Sequence, residues 1–400
     1  MIPRRGASGP LFALALLFAG TPPAEAADFG RCVGSLRGEA LGRGISGQTF
    51  DTALAGVEPD PSVLEAMDAQ PEFKTPIWDY LAVLVDEERI ADGRANLERW
   101  ASVLEQVESR YGVDRHVVVA VWGVESDFGR QTGARALVRS LATGACAGRR
   151  QKFFRDELMA TLAILQSGDM PAEALRGSWA GAFGQTQFMP TTYQRLAVDF
   201  DGDGKRDIVG SVPDALGSTA NFLVKAGWVS AEPWGYEVRL PAGYTGPSGR
   251  RNRQALAQWR ARGVTALDGR PMGGNGAAAL LLPTGKNGPA FLVFGNFNAL
   301  YAYNAAESYA LAIAHLSDRL RGGTAFKTPW PTDDGGLSRA RRRELQALLN
   351  QRGFDVGAPD GAIGPRTRAA IRAFRASIGL SEDERAGTRV FEALKNPAAK

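Results

Sequence analysis

The clearest hydrophobic run in the chain covers residues 116–124, which read His, three valines, Ala, Val, Trp, Gly and Val. An almost wholly apolar run of this length predicts a helix-like segment that lies in a core. Glu125 follows the run directly, and Gly129 closes the segment after Ser, Asp and Phe. The pattern therefore places one acidic side chain at the C-terminal end of a buried element.

Helical spacing of apolar residues dominates the chain up to residue 322, for example across 153–165. The exception is about 234–296, where short apolar runs alternate with Gly and Pro turns and predict strands. We therefore expect a mainly α fold with a small β subdomain inserted in it.

The chain changes character at residues 322–336, a stretch rich in Pro and Gly that cannot sustain a helix. This composition predicts an exposed, partly extended tether. Beyond it, residues 338–395 show three short helical patterns separated by two similar turns, at 360–367 and 383–388. We expect a small three-helix module there.

Glu125 is a candidate general acid because its carboxyl group has poor access to water. Desolvation raises the pKa of a carboxyl group and keeps it protonated near neutral pH, so that it can donate a proton to a leaving oxygen. The alternative is an ordinary glutamate at a helix end, solvated beyond Gly129. The segment alone leaves both interpretations open.

Two later blocks favour the catalytic interpretation. Residues 178–193 combine small residues with Ser, Gln and aromatic residues, and residues 298–310 hold three tyrosines and two asparagines before a helical run. Aromatic faces stack on pyranose rings, and amides and hydroxyls bind the polar rim of a sugar. Each block alone could be ordinary core, but the three together indicate a sugar-binding groove.

The three blocks resemble the soluble lytic murein transglycosylases of the B type over roughly residues 28–322. The resemblance rests on Glu-Ser-x-Phe-Gly, on Ser-Trp-Ala-Gly-Ala-x-Gly-x-x-Gln-Phe-Met-Pro, on Asp-Phe-Asp-Gly-Asp-Gly, and on Tyr-Asn followed by Tyr-Ala. It implies a lysozyme-like, mostly helical domain that cuts the glycosidic bond between N-acetylmuramic acid and N-acetylglucosamine.

The resemblance also implies roles for single residues. Glu125 would be the sole acid and base, and Ser178 would donate a hydrogen bond to it. Asp127 is a departure, since the family often has a neutral amide there, and its position two residues on in a helix points it away from Glu125. The residues expected to bind substrate are Ser178, Gln187, Phe188, Met189, Tyr303, Asn304 and Tyr309.

The three blocks contain no second acid suited to the chemistry, whereas ordinary glycosidases use two carboxylates. Glu307 lies among the cleft tyrosines without an apolar pocket of its own. One acid would then act twice, and the resemblance implies a 1,6-anhydro end formed without water. A hydrolytic muramidase, or a non-catalytic murein-binding scaffold, stays open as an alternative.

The first residues have the order of a secretory signal peptide, with basic Arg4 and Arg5, an apolar run and small residues ending at Ala26. We expect export to the periplasm. No cysteine follows the cleavage point immediately, which predicts no lipid anchor, and no later apolar run reaches the ~20 residues of a membrane span. We expect a monomer.

The segment after the linker resembles the peptidoglycan-binding domain of many wall hydrolases. Residues 338–395 hold twelve Lys and Arg against seven Asp and Glu, while the whole chain carries a net charge of +4. Positive charge is therefore concentrated there, which suits the free carboxylates of murein. An export signal, and the absence of interleaved basic and aromatic residues, argue against nucleic acid as the partner.

These observations divide the chain into four parts. The division is a signal peptide at 1–26, a lytic transglycosylase catalytic domain at 27–322, a linker at 323–337 and a peptidoglycan-binding module at 338–397.

Two further features concern stability. Cys32 and Cys146 are the only cysteines, and in an oxidising compartment a bridge is favoured over two free thiols. No cofactor is expected for the chemistry, but the acids that begin at Asp199 follow the start of an EF-hand calcium loop. An acidic turn that binds nothing is the alternative. Gly210 occupies the twelfth position, where an EF-hand loop has glutamate, so the closing ligand must come from further on. The resemblance implies Asp214, because the Asp-Ala-Leu-Gly-Ser that it begins matches the family segment with the final ligand. The expected calcium ligands are therefore Asp199, Asp201, Asp203, the Lys205 carbonyl and Asp214.

Overall fold

The computed structural model describes residues 24–69, 75–267, 269, 271–274, 276–380 and 383–396. Within these residues the chain is mainly helical with two small sheets, which confirms the predicted fold class. The predicted signal peptide lies, except for its last three residues, outside them. No helix in this part of the chain is long and apolar enough to cross a membrane.

The helices before the sheet region begin at side-chain caps in several cases. Ser46 Oγ accepts the Thr49 amide at 3.0 Å, and Asp86 Oδ1 accepts the Arg89 amide at 2.8 Å; such caps satisfy amides that have no partner inside the helix. The helices are α1 (Ala24–Gly42), α2 (Gly47–Leu54), α3 (Pro61–Ala69), α4 (Ile77–Leu84), α5 (Glu87–Arg99), α6 (Ala101–Tyr111), α7 (Arg115–Ser126), α8 (Leu137–Ala147), α9 (Gln151–Ser167), α10 (Pro190–Leu196) and α11 (Val212–Lys225).

A second group of helices surrounds and follows the larger sheet. These are α12 (Leu256–Ala261), α13 (Gly295–Asn304), α14 (Glu307–Leu320), α15 (Arg339–Gln351), α16 (Pro365–Ser377) and α17 (Thr388–Lys395). The last three form the predicted C-terminal module, which has its own core of buried residues that includes Leu345, Phe374 and Phe391.

The predicted β subdomain is a five-stranded antiparallel sheet with strand order β4-β6-β8-β3-β5. Leu292 in its central strand lies opposite Leu280 on one side and Tyr236 on the other. The short apolar runs predicted within 234–296 became β3, β6 and β8, whereas the two edge strands, of three and two residues, were not predicted. The strands are β1 (Arg135–Ala136), β2 (Arg176–Gly177), β3 (Gly235–Arg239), β4 (Arg253–Ala255), β5 (Thr265–Ala266), β6 (Ala277–Leu281), β7 (Pro283–Lys286) and β8 (Ala290–Val293). β1 and β2 pair separately.

The helical region has two hydrophobic cores. One is built around α7 and α14, and the other around α8 and α9. Phe222 and Tyr303 pack against both cores. The junction of the two cores is where the residues of the candidate site come together.

The stretch predicted to be an exposed tether is instead packed against the protein. The Phe326 ring stacks on His315 with centroids 3.8 Å apart and meets Phe291 edge-on at 4.7 Å. The amides of Lys327 and Thr328 donate to the Glu237 carboxylate at 2.8 and 2.7 Å. The stretch has no helix and about half of its residues are exposed, as predicted, but it is not a free tether. Pro and Gly content indicates the lack of a helix, and aromatic residues within such a stretch can still pack.

A disulfide joins α1 to α8. The sulfurs of Cys32 and Cys146 are 2.07 Å apart, and the bridge spans 114 residues of sequence. The N-terminal helix is thereby attached to the second core, where α1 also buries Phe29 and Leu36.

Candidate active site

Glu125 lies in the last turn of α7, as the hydrophobic pattern predicts. The helix begins at Asp114, whose carboxylate accepts the His116 amide at 2.8 Å. It ends because Asp127 adopts a left-handed conformation with φ of 51°. Gly123 is required here, since a Cβ at this position would lie 2.7 Å from the ring of Phe128, which folds back onto the helix.

The carboxyl group of Glu125 is surrounded mainly by protein. Its side chain is half-buried, and the Tyr309 hydroxyl donates a hydrogen bond to Oε1. Burial raises the pKa of Glu125 to about 8, and the hydrogen bond from Tyr309 opposes part of that rise. Because a carboxyl group with such a pKa is mostly protonated at neutral pH, it can act as a proton donor.

Two tyrosines from the α13–α14 region form the wall beside Glu125. The rings of Tyr303 and Tyr309 stack with centroids 6.2 Å apart. The Tyr303 hydroxyl donates to the Thr186 carbonyl at 2.8 Å, which ties this wall to the 178–193 block. The structure thus brings all three sequence blocks to one place.

Ser178 makes no hydrogen bond to Glu125 in the structure. Its Oγ accepts the Ala182 amide at 3.1 Å, and its own amide donates to the Ala182 carbonyl at 2.8 Å. The expected hydrogen bond between Ser178 and Glu125 is not formed; the hydroxyl oxygen instead accepts a bond within the turn of its own block.

The backbone of Gln187 is left-handed, with φ of 50°, a conformation that residues other than glycine seldom adopt. Its side-chain amide donates to the Thr132 carbonyl at 3.0 Å and to the Gly184 carbonyl at 2.8 Å. Both amide hydrogens are therefore used within the protein. The side-chain oxygen accepts no hydrogen bond from the described residues and is available to a ligand.

The remaining predicted substrate-binding residues differ in exposure. Phe188 is only 2% exposed and packs against Phe222 and Tyr303, with ring centroids 5.8 and 6.0 Å away. Phe188 is a core residue, so its prediction as a substrate contact was wrong. Membership of a motif does not tell whether a residue lines the cleft or packs beneath the residues that line it. Met189 is half-buried and Asn304 is exposed.

Two residues that hold the end of α7 were missed. The Gln185 side chain accepts the Trp122 indole N–H at 3.0 Å, and Ser126 Oγ donates to the Gln185 carbonyl at 2.7 Å. Ser126 and Gln185 are 1% and 6% exposed. The only sequence signal for these two residues is their position, since Ser126 follows Glu125 and Gln185 lies two residues before Gln187.

The other acids near Glu125 in sequence or in the tyrosine block face different partners. Asp127 accepts hydrogen bonds from arginines, among them Arg130 Nε at 3.0 Å. The Glu307 side chain is 44% exposed, with Arg250 Nε 3.9 Å from its Oε1. Burial raises the pKa of Asp127, but its arginine partners outweigh that effect and hold the pKa below its usual range. Glu307 is exposed to solvent.

The acidic loop has the geometry expected for the start of a cation site. Asp199, Asp201 and Asp203 bring one carboxylate oxygen each within 4.8 Å of one another. Calcium binds oxygens at 2.3–2.6 Å, so one ion could contact all three. Gly202 and Gly204 have φ of 80° and 88°, which lets the loop turn tightly.

Asp214 does not belong to this group, contrary to the prediction. It is fully buried in the first turn of α11, where Oδ1 accepts the Phe200 amide at 2.7 Å and Oδ2 accepts the Asp207 amide at 2.7 Å. Its carboxylate braces the loop backbone from inside. Sequence spacing alone could not separate this supporting role from direct coordination.

Comparisons with known proteins agree with this site. The family model described as "Transglycosylase SLT domain" matches residues 28–318, and that of a "Putative peptidoglycan binding domain" matches 338–394. The chain is 30% identical over 287 residues to the membrane-bound lytic murein transglycosylase B of Escherichia coli K12. This match covers 68% of the present chain and 78% of the relative.

Solved structures are similar over most of the length. SltB3 of Pseudomonas aeruginosa, crystallised with NAG-anhNAM-pentapeptide, is 48% identical with a TM-score of 0.75 and covers 92% of this chain and 99% of its own. An Escherichia coli lytic transglycosylase in complex with calcium is 28% identical with a TM-score of 0.64, and covers 74% of this chain and 94% of its own.

The fold and the buried acid thus define an enzyme of the lysozyme-like class that acts on glycan. The chain belongs to the transglycosylase SLT domain family, in its B-type branch, and carries a peptidoglycan-binding domain. It is a lytic transglycosylase that acts on peptidoglycan.

Proposed function

We propose that this enzyme cuts the bond between N-acetylmuramic acid and N-acetylglucosamine without water, with Glu125 as acid and then as base. The observation that carries the proposal is the half-buried Glu125, whose pKa burial raises to about 8 and which accepts a hydrogen bond from Tyr309. A protonated carboxyl group at this place suits protonation of a leaving sugar oxygen.

In the first step Glu125 gives its proton to the glycosidic oxygen, and the bond from that oxygen to C1 of the muramic acid breaks. The acetamido oxygen of the same sugar stabilises the positive charge at C1. Glu125 is then a carboxylate, and the Tyr309 hydroxyl stabilises that charged form through its hydrogen bond.

In the second step the Glu125 carboxylate removes the proton of the C6 hydroxyl of the muramic acid. The freed oxygen forms a bond to C1, which gives the 1,6-anhydro end and returns Glu125 to its protonated form. No water is consumed. The arrangement of Asp127 among arginines and the exposure of Glu307 support a mechanism with one carboxylate.

We assign substrate binding to the groups around Glu125 that leave polar or apolar surface open. The free oxygen of Gln187 suits a sugar hydroxyl or amide, and Met189 and Asn304 offer an apolar and a polar contact. Tyr303 and Tyr309 form the wall behind the sugar. Ser178 belongs to the same block, and because its Oγ accepts the Ala182 amide, its own hydroxyl hydrogen stays free to donate to a ligand.

We further propose the domain division into 27–322, 323–337 and 338–397, with the last part binding the wall. The independent core of the module supports this boundary. We further propose a periplasmic location, which the predicted signal peptide supports.

We propose a structural calcium ion at Asp199, Asp201 and Asp203. The convergence of three carboxylates supports it, because like charges at this distance repel unless a cation lies among them. A solved relative was crystallised with calcium. The loop's own residues and the Lys205 carbonyl would hold the ion, and Asp214 would brace the loop.

The test of the catalytic assignment is release of soluble fragments from purified sacculi by two matched variants. Glu125→Gln keeps size and hydrogen bonding but cannot transfer the proton, so we expect a loss of at least a hundredfold. Glu307→Gln changes the neighbouring exposed acid and should leave release within about twofold, as exposed charges contribute little. Near wild-type release by Glu125→Gln would refute the assignment.

A further inference from the structure

Arg339, the first helical residue of the C-terminal module, reaches the catalytic region. Its Nε and Nη2 donate to the two oxygens of Asp86 at 2.9 and 3.0 Å, and its Nη1 donates to Asp127 Oδ1 at 2.8 Å. Asp127 is two residues after Glu125. One guanidinium thus joins the module to the turn that ends the catalytic helix.

The turn after Glu125 needs support from outside itself. Asp127 and Phe128 have φ of 51° and 60°, a conformation that is strained for residues other than glycine and persists only where surrounding contacts impose it. Asp127 has such contacts with three arginines. They are Arg89 at 3.5 Å, Arg130 at 3.0 Å and Arg339 at 2.8 Å.

Burial separates this contact from ordinary surface ion pairs. The side chains of Arg339, Asp86 and Asp127 are 17%, 2% and 9% exposed. Exposed pairs contribute little, whereas removal of one partner of a buried pair leaves an uncompensated charge and is costly. Asp86 also caps α5, whose Arg89 donates to the Gly123 carbonyl in α7. Both carboxylates therefore already belong to the framework around Glu125.

Other contacts hold the module in one orientation. Arg385 makes a two-point contact with Asp79 in α4, at 2.7 and 2.6 Å. The backbone at Gly336 lies so close to α4 that a Cβ there would be 2.7 Å from Asp79 Cα. Arg343 pairs with Glu88, where the two side chains are 39% and 43% exposed. Only Arg339 among these groups contacts Asp127.

We propose that the docked module takes part in turnover, with Arg339 as a positioning residue that holds the Asp127 turn and, through it, Glu125. This inference rests on the proposed role of Glu125 and adds a second role to the module beside wall binding. A module that served only to raise the local concentration of wall would need no contact behind the catalytic helix.

The test measures kcat and KM of full-length variants on short soluble glycan strands, together with sedimentation on sacculi. Arg339→Gln should lower kcat by about tenfold, since small displacements of a catalytic group are costly, and should leave KM and sedimentation unchanged. Arg343→Gln, in the same interface without contact to Asp127, should keep kcat within about twofold. An unchanged kcat in Arg339→Gln, or an equal fall in both variants, would overturn the proposal.

A double-mutant cycle with Asp127→Asn tests the route of the effect. If Arg339 acts through Asp127, adding Arg339→Gln to Asp127→Asn should lower kcat little further; losses that multiply would overturn the proposal. Should a melting curve show that Arg339→Gln fails to fold, Arg339→Lys replaces it with the same expectation of reduced kcat at unchanged KM. Failure of the proposed function appears separately, as an active Glu125→Gln variant.

Discussion

Tyr309 donates a hydrogen bond to Glu125 from 184 residues further along the chain. The contact joins α14 to the end of α7, and both residues belong to the junction of the two helical cores. It gives the acid a partner that favours its charged form, while burial favours its neutral form. These opposed influences suit a group that has to alternate between acid and base.

The first prediction concerns this hydrogen bond. In Tyr309→Phe the influence that lowers the pKa of Glu125 is removed, so its pKa should rise further above 8. The alkaline limb of the kcat profile should therefore move to higher pH, and kcat should fall by about tenfold because the carboxylate loses a donor. Rates on soluble glycan between pH 6 and pH 10 measure both effects. An alkaline limb at the wild-type pH would contradict this account of the site.

A second prediction links Glu125 to stability. Its pKa is raised from 4.5 to about 8 in the folded protein, so its stabilising contribution is complete below pH 4.5 and is lost as pH rises through 8. Glu125→Gln has no such titration. The variant should therefore gain stability relative to wild type between these pH values, by a few kcal/mol.

Urea unfolding of both proteins at pH 4.5 and pH 8 measures that difference, and groups that titrate alike in the two proteins cancel. A difference between variant and wild type that is the same at both pH values would show that Glu125 has an ordinary pKa.

The third prediction concerns calcium. Binding to the folded state alone should raise the melting temperature, with a gain of about 2.7 kcal/mol at a hundredfold excess over Kd. Magnesium should act less, because it demands octahedral geometry and keeps its water. The matched control is Asp201→Asn with Asp203→Asn, which removes two of the three converging carboxylates. An equal shift in that variant would place the effect elsewhere.

The fourth prediction concerns the Cys32–Cys146 bridge, which spans 114 residues. Replacing both cysteines by alanine should lower the free energy of unfolding by about 2–5 kcal/mol. Turnover should change little, because the bridge supports the second core and does not contact Glu125. Denaturant midpoints with and without reductant measure this, and reductant should leave the alanine variant unaffected. A wild-type midpoint that reductant does not change would contradict it.

The sequence predicts those parts of the fold that depend on local pattern. The apolar run before Glu125 became α7, and the three apolar runs of the β subdomain became β3, β6 and β8. Edge strands such as β5 were missed because a strand of two residues is too short to show a periodic pattern. The packing of the linker was not predicted, because it rests on the contact of Phe326 with His315, and local sequence patterns carry no information about that contact.

Within the site, residue identity was predicted better than residue role. Phe188 and Asp214 lie in motifs that were recognised, yet both support the site from the buried side. Gln185 was missed because its bonds to Trp122 and Ser126 join segments far apart in sequence. The contact of Arg339 with Asp127 spans 212 residues and two domains, so only the folded structure reveals it.

The most direct test of the central claim is digestion of purified sacculi in water enriched in heavy oxygen, followed by mass spectrometry of the muropeptides. If Glu125 acts as acid and then as base, the new ends are 1,6-anhydro-N-acetylmuramic acid and carry no label, and Glu125→Gln produces none. Reducing ends that carry the heavy oxygen would mean that water attacks C1, and would contradict the account.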